Sequence, residues 1–406
     1  MNNLISLIRD FCPNGVDHIK LSTISKRLNE KNGELKYNSV RAVVSSGKLV
    51  DPLMIFKDSV ASEDKSNYLV VRKNHYIYNP ARINIGSIAY SQEEEPVILS
   101  PMYIVFDLDK EKVLNEYFDY FIRSSEGRRQ IISRVEEGAR FRFPYESMEK
   151  LFIPLPPLAI QKEIVQILDQ FKQLITELTT EHTARKQQYD YYLNKMYEDL
   201  SKNKASLVKL HEIGIIERGN GLQKSDFVEK GVPCIHYGQI YTYFGTYTAK
   251  TKSFVSIELA KKLKKVKYGD IIIAVTSENI EDVCKSVLWL GDEEIVTGGH
   301  TGIFRHNQNP KYIAYFFKTK MFFEQKRKIA HGTKVIEVTP RKLENIVIPI
   351  PSLDEQQRIV DILDKFDKLV NDISEGLPAE IAARKKQYEY YRDKLLTFKE
   401  VGNESI

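Results

Sequence analysis

The sequence predicts an α+β chain with a pseudo-twofold internal repeat: two similar strand-rich α/β bodies separated by two long antiparallel helices that act as a coiled-coil spacer. Three observations lead there. Ile153-Pro154-Leu155-Pro156-Pro157-Leu158 recurs as Ile348-Pro349-Ile350-Pro351-Ser352-Leu353, and Gln166-Ile-Leu-Asp-Gln-Phe171 as Asp361-Ile-Leu-Asp-Lys-Phe366, both at an offset of 195. Ala184-Arg-Lys-Gln-Gln-Tyr-Asp-Tyr-Tyr192 returns as Ala383-Arg-Lys-Lys-Gln-Tyr-Glu-Tyr-Tyr391 at an offset of 199, so the second copy carries four extra residues, about one helical turn. After each Pro-rich segment the apolar residues are spaced 4, 3, 4, 3: Ile164, Leu168, Phe171, Ile175 and Leu178, then Ile359, Leu363, Phe366, Val370 and Ile373. That is the stripe of a helix that packs along another helix.

The repeat divides the chain into a first body at 1–157, a first spacer helix at 158–204, a second body at 205–351 and a second helix at 352–406. Ile19-Lys20-Leu21 and Val208-Lys209-Leu210 mark the two starts. In the first body, strand-like runs are Tyr68 to Arg72, His75 to Tyr78, Ile83 to Ile85, Val97 to Leu99 and Met102 to Phe106, followed by a helix from Leu114 to Ile132. The second has Cys234 to Tyr237, Asp270 to Val275 and Ser286 to Leu290, then a helix from about Tyr312 to Ile329. Pro156-Pro157 can open a helix but not sit inside one, and neither Gly nor Pro occurs from Leu158 to Lys204. One unbroken helix of some 45 residues, about 65 to 70 Å, is expected there. The second helix starts at the capping box Ser352-x-x-Glu355, is kinked near 376–378 at Gly376-Leu377-Pro378, and resumes toward Phe398.

With 42% hydrophobic residues, 23 Tyr and 19 Phe, the chain has ample material for cores, which excludes global disorder. Three widely spaced cysteines, Cys12, Cys234 and Cys284, form no Cys-x-x-Cys pair and read as structural thiols of a cytoplasmic protein; no run approaches the apolar length of a membrane span. Charge is uneven. The first body carries 22 cationic against 21 anionic side chains and the second 22 against 15, whereas the first helix is balanced and the second has a surplus of three anions. The helices therefore suit a protein partner and the bodies suit a polyanion.

Apparatus for catalysis is missing from the sequence. Asp51-Pro52-Leu53 and Asn79-Pro80-Ala81 fail as an amino-methylation motif at the second proline; no Gly-x-Gly-x-x-Gly, Walker loop or Gly-x-Ser-x-Gly occurs. The eight histidines lack a His-x-x-x-His pair, and Cys234-x-His236 alone is a poor metal signal, so no metal site is expected. Groups that could meet DNA are more numerous. Runs of cations occur at Arg123 to Arg134, Lys261 to Lys267 and Lys326 to Lys328, each taken singly better explained as a solvated helix face than as a DNA contact. Matched junctions, Gly138-Ala-Arg140-Phe-Arg142 and Gly332-Thr333-Lys334, follow the late helix in both bodies. Glycine there permits close backbone approach, and Arg, Thr or Lys can bond phosphates or base edges. Arg82 and Asn84, Asn220 and Lys224, and Tyr237, Gln239 and Tyr241 complete the candidates, since planar Arg, Asn and Gln ends read guanine and adenine.

The Ile-Pro-Leu/Ile-Pro-x-Leu segments, Gln161-Lys-Glu-Ile-Val165 and Gln356-Gln-Arg-Ile-Val360, the Ile-Leu-Asp-x-Phe blocks and the Arg-Lys-x-Gln-Tyr-x-Tyr-Tyr blocks resemble the repeated regions of the specificity subunit of type I restriction–modification enzymes, over essentially the whole chain. The resemblance implies that each body is a target-recognition domain reading one half of a split double-stranded DNA site. It implies that the helices set the gap and dock two methyltransferase subunits, with motor and nuclease subunits joining for restriction. It further implies that this chain binds no cofactor, because S-adenosylmethionine, ATP and Mg²⁺ are used by the partner subunits. A non-catalytic DNA-specificity subunit is the expectation. The alternatives are a stand-alone DNA-modifying enzyme with an unrecognised site, and a coiled-coil adaptor without a DNA role.

Overall fold

Both Pro-rich segments are strands in the computed structural model, which describes residues 12–55, 63–135, 141–202, 205–372 and 375–401. Phe152–Pro154 pairs antiparallel with His18–Lys20, Ile153 facing Ile19; Val347–Ile350 pairs antiparallel with Ser206–Lys209, Ile348 facing Val208. The start of each body is thereby stitched to its own end. Proline carries no N–H, so these strands are short of donors, but their carbonyls need partners. Buried tyrosines supply them: the Tyr117 hydroxyl donates to the Pro154 carbonyl at 2.9 Å and the Tyr312 hydroxyl to that of Pro349 at 2.7 Å.

In the first body a four-stranded antiparallel sheet runs in the order Ser25–Leu28, Ile104–Leu108, Tyr76–Tyr78, Ile88–Tyr90. Its inner face packs Tyr76, Tyr78 and Phe106 against Tyr117, Phe118 and Phe121 of the late helix region. The second body has two five-stranded sheets. One runs Gly214–Arg218, Thr301–His306, Ile271–Ala274, Ser286–Trp289, Tyr247–Thr248; the other runs Phe227–Val228, Ser253–Val255, Val232–Ile235, Ile295–Thr297, Lys264–Val266. Ile271 to Ala274 are buried on both faces, which explains an uninterrupted apolar run in place of alternation.

Three sequence expectations are corrected. Ile83–Ile85 is a turn of 3₁₀ helix, not a strand, because the Asn79 side chain accepts from the Ala81 amide at 2.9 Å and bends the chain before it. Each late helix is two helices: Asn115–Arg123 and Ser125–Ile132, and Pro310–Phe316 and Lys320–Ile329. Ser124 and Thr319, 195 residues apart, cap the second of each pair by accepting from Gly127 and Phe322 amides at 3.1 Å. The capping box at Ser352 is half formed: its hydroxyl accepts from the Glu355 amide at 3.4 Å, while the Glu355 carboxylate pairs with Arg358 at 2.7 Å.

The spacer helices are α1, Leu158–Lys202, of 45 residues, and the pair α2, Leu353–Asn371, and α3, Leu377–Leu395. The chain forms two compact units, residues 1–177 with 382–406, and residues 178–381. In the first unit Ile164 and Leu168 enter the core of the body that precedes them, in a cluster that also takes Leu396 and packs Tyr388 and Leu395. Phe171, half-buried, stacks on Tyr391 at 5.4 Å, and Ile175 is half-buried as well. In the second unit Leu178 is half-buried, and Ile359, Leu363 and Val370 join the core of the second body. There α1 and α2 run antiparallel: His182 bonds the Val370 carbonyl at 2.8 Å, Tyr189 lies beside Asp367, and Tyr192 stacks on Phe366 at 5.8 Å. Ile373 lies outside the described residues. A second stripe that the heptad pattern hides, Tyr189, Leu193 and Tyr197, is buried in the second body's core.

Gln161 and Gln356, fully buried and 195 residues apart, fix each helix to its body. The Gln161 amide accepts from Leu114 N at 2.9 Å and donates to the Lys112 and Pro156 carbonyls at 2.8 Å; Gln356 accepts from Asn309 N at 3.0 Å and donates to Pro351 O at 3.0 Å. Gln161→Ala and Gln356→Ala should each cost the unit concerned about 3 kcal/mol in urea unfolding, because an N–H and carbonyls are left dry. A second expectation concerns His306, whose ring burial pushes its pKa down to about 4, its Nδ1 accepting from Gln308 N at 3.3 Å. Below the ordinary histidine pKa the unfolded chain takes up a proton that the folded one refuses. The second unit should therefore lose stability as pH falls from about 6.5 toward 4, and His306→Gln should flatten that dependence in melts taken across the range.

Candidate nucleic-acid interface

In the second body, segments far apart in sequence converge at one end. Gly219 lies so close to Gly298 that a Cβ on it would stand 2.0 Å from the Gly298 carbonyl oxygen, so loops 218–222 and 298–300 touch only because both are glycine. Arg218 ties them to a third loop: its Nε donates to the Gly299 carbonyl at 3.3 Å and its guanidinium lies 2.9 Å from the Glu337 carboxylate. That third loop, 331–337, is closed by paired backbone bonds between His331 and Glu337 at 3.1 and 2.8 Å, with Gly332 at φ +117°. Its Thr333 and Lys334 are exposed. A fourth segment, the helix Tyr237–Thr242, joins through rings: Tyr237 lies 4.4 Å from His236 and 4.8 Å from His300. The His300 Nδ1 is bonded to the Thr276 hydroxyl at 2.9 Å, and the ring is exposed.

The sequence candidates separate here into presented and engaged side chains. Lys224, Thr333 and Lys334 are exposed, and Tyr237 is half-exposed beside His300. Gln239 is engaged at both ends of its amide, accepting from His236 N at 3.1 Å and donating to Ser253 Oγ at 2.7 Å, so it fixes the loop. The Tyr241 hydroxyl donates to the Thr276 carbonyl, and burial pushes its pKa up. Asn220 is exposed but donates to the Lys262 carbonyl at 2.5 Å. His236 of the Cys234-x-His236 pair caps the 237–242 helix, its Nδ1 accepting from Gly238 N at 3.1 Å; burial, then Lys224 and His300, lower its pKa. Among the described residues no group of three or more His, Cys, Asp or Glu converges as a metal site. Cys12, Cys234 and Cys284 are free and buried, the last two pushed up to about 12 by burial.

In the first body, Phe143 N donates to the Pro80 carbonyl at 3.1 Å and so lays the Arg142 segment beside the Asn79 turn. Arg82, Asn84 and Arg142 are all exposed there. Arg140 lies outside the described residues. His300 is the position of this surface that sequence reasoning missed; the Gly298-Gly299 turn was the available signal.

The cationic runs mostly neutralise themselves. Lys264 faces Glu217 at 3.5 Å, Lys265 and Lys267 face Glu294 at 2.7 and 4.0 Å, and Arg305 pairs with Glu217 at 2.9 Å. Arg123 pairs with Asp119 at 2.9 Å, Arg129 with Glu126 and Arg327 with Glu324 at 2.7 Å. Lys326 is buried, donates to the Glu281 and Val283 carbonyls at 2.9 and 2.6 Å, and has its pKa lowered by that burial. Most of the cations in these runs thus have a partner of their own, while Arg128, Lys261, Lys262 and Lys328 are exposed and Lys334 stands at the convergent end.

The family model described as the type I restriction modification DNA specificity domain matches the chain twice, over residues 8–185 and 202–383. The chain belongs to that family. The specificity subunit of the type I restriction enzyme EcoR124I/EcoR124II from Escherichia coli is 34% identical over 311 residues, 74% of each chain. A putative type I specificity subunit of Haemophilus influenzae is 30% identical over 316 residues, 71% of this chain and 74% of that one. Among solved structures, a chain from work on complex assembly and conformational transition of the type I restriction–modification system aligns over 95% of this chain and 98% of its own with a TM-score of 0.60 at 19% identity. The HsdS subunit from Thermoanaerobacter tengcongensis aligns over 95% and 97% with a TM-score of 0.51 at 18% identity. As a type I specificity subunit the chain is a DNA-recognition component and not a catalyst, and its partners are DNA and other restriction–modification subunits. No helix among its described residues is long and apolar enough to cross a membrane.

Arg218 is the tie between three of the four converging segments. Arg218→Ala should speed amide exchange across residues 331–337 several-fold, as expected for about 1 kcal/mol of local stability, with the remainder of the second unit unchanged.

Proposed function

We propose that this specificity subunit reads a bipartite double-stranded DNA target, the first body contacting one half-site and the second the other, inside a cytoplasmic complex. The duplicated framework carries the reading. Tyr117 and Tyr312, Gln161 and Gln356, and Ser124 and Thr319 keep one set of hydrogen bonds at a constant offset of 195. The exposed ends that this framework supports differ between the bodies: Arg82, Asn84 and Arg142 in one; Lys224, Tyr237, His300, Thr333 and Lys334 in the other. A shared scaffold with different reading ends is what an asymmetric split site requires.

In this reading the helices set the unread gap, half-sites on one side of B-DNA being about 34 to 36 Å apart. They also dock two methyltransferase subunits, and motor and nuclease subunits join for restriction. S-adenosylmethionine, ATP and Mg²⁺ act on those partners, and this chain binds none of them. Exposed Arg and Lys at the loop ends would take phosphates, and the planar side chains and rings among them would take base edges.

Co-expression with the methyltransferase and genome-wide mapping of methylated adenines tests the proposal. Exchanging residues 1–157 for another such body should alter one half of the methylated motif and spare the other; alteration of both halves would sink the modular reading. Methylation or cleavage by the purified chain alone would favour a stand-alone enzyme instead. In the assembled complex, Lys334→Ala should weaken binding evenly across sequences and reduce the salt slope by about 1, whereas Lys265→Ala, already paired with Glu294, should leave both unchanged.

A further inference from the structure

Tyr191 and Tyr390 stand 199 residues apart in the two copies of the Arg-Lys-x-Gln-Tyr-x-Tyr-Tyr block, and each is 59% exposed. Folding does not account for keeping a large ring outside a core at both places. The two are nevertheless held alike. Tyr191 stands edge-on to Tyr192 at 5.3 Å and 73°, and Tyr390 to Tyr391 at 5.2 Å and 73°. Each inner ring is in turn stacked on a phenylalanine, Tyr192 on Phe366 at 5.8 Å and Tyr391 on Phe171 at 5.4 Å. A stacked inner ring, half-buried at Tyr391 and 37% exposed at Tyr192, restricts the outer one on one side and so reduces the side-chain entropy lost when a partner covers it.

The surroundings repeat as well. An exposed carboxylate precedes each outer ring, Asp190 and Glu389, and an exposed lysine follows it by four residues, Lys195 and Lys394. In the second unit Asp190, Tyr191, Asn194, Lys195 and Lys320 border a groove of about 520 Å³. It lies where the helix Lys320–Ile329 meets α1, with Lys320 N donating to Asn194 Oδ1 at 2.6 Å. The equivalent junction in the first unit is made by Ser125 N donating to Asp393 Oδ1 at 3.1 Å. The loop ends of the two bodies differ throughout, whereas on this face the exposed carboxylate, the tyrosine pair and the lysine recur, although Asn194 and Lys320 give way to Asp393 and Ser125 in the first unit. A tyrosine pair with the same flanking charges kept in both halves, and needed by neither for packing, calls for one common occupant, and two copies of it call for two copies of that occupant.

We propose that Tyr191 and Tyr390 are the anchors of two equivalent docking surfaces, one on each unit, for two identical copies of a partner protein. The proposal rests on the reading that the helices dock two methyltransferase subunits, and it names the contact. Exposed tyrosine is a common anchor of protein interfaces, and Tyr191 borders a groove as well. DNA fits this face poorly: a carboxylate adjoins each ring, and residues 158–204 carry no cationic surplus.

The test uses the full chain purified with the methyltransferase subunit, its stoichiometry measured by native mass spectrometry and light scattering. The native chain should take up two partner copies. Tyr191→Ala and Tyr390→Ala should each leave one copy bound, the other site weakened at least about thirtyfold, and the double variant should lose both. Tyr191→Phe and Tyr390→Phe, which keep the ring, should retain two copies, and thermal unfolding of all variants should match the native chain because the replaced rings are outside the cores. Two copies bound with native affinity by the double variant would overturn the proposal, as would a loss of DNA affinity with the stoichiometry intact. If the native chain itself fails to take two copies, the docking reading under it is what fails.

Discussion

A fully buried glutamine side chain at the head of each spacer helix is the contact on which the remaining architecture depends. Gln161 and Gln356 each join three things: the backbone entering the late helices, the Pro-rich strand, and the first turn of the long helix. An amide has donors and acceptors in one plane, so satisfying all of them without water admits one orientation of the helix on its body. The tyrosine hydroxyls on Pro154 and Pro349 then complete the strand that proline leaves short of donors. A helix launched from such a socket has a fixed direction, and a fixed direction is what a spacer must have.

The same contacts explain why the repeat could be read so well. Proline, glutamine, tyrosine and the apolar stripe occupy positions where burial permits one residue type, so they stay aligned between the halves. The 45-residue helix was equally legible, since no breaker lies within it. What escaped was settled by tertiary partners. Ile83-Asn-Ile85 looks extended until the Asn79 side chain bends the chain ahead of it, and the spacing of Ile164 and Leu168 does not reveal that they also fill the core of the body before them.

The interface shows the same division. The loop carrying Gly332 was recognisable because close backbone approach needs glycine, and it converges with the loops carrying Gly219 and Gly298. Gln239 and Tyr241 carry suitable groups but spend them on Ser253 and Thr276, partners that no local pattern reveals. The lysine-rich run from Lys261 to Lys267 looked like a phosphate surface because Glu217 and Glu294, which compensate it, come from other strands. Charge in sequence is a count, whereas charge at a surface is a count after pairing.

The unit formed by residues 1–177 and 382–406 is discontinuous, and that has a consequence during synthesis. Its closing contacts, Val16 N with the Lys399 carbonyl at 2.8 Å and Ser125 with Asp393, need the last stretch of α3 and the residues beyond it. The unit formed by residues 178–381 is continuous and has all its contacts in hand about twenty residues earlier. Domains usually complete in the order in which they leave the ribosome. Here the order inverts: the later body has all its segments first, and the earlier one waits, its core short of Leu396, until residues 382–401 have been made. Loss of those residues would therefore damage the half of the molecule made first.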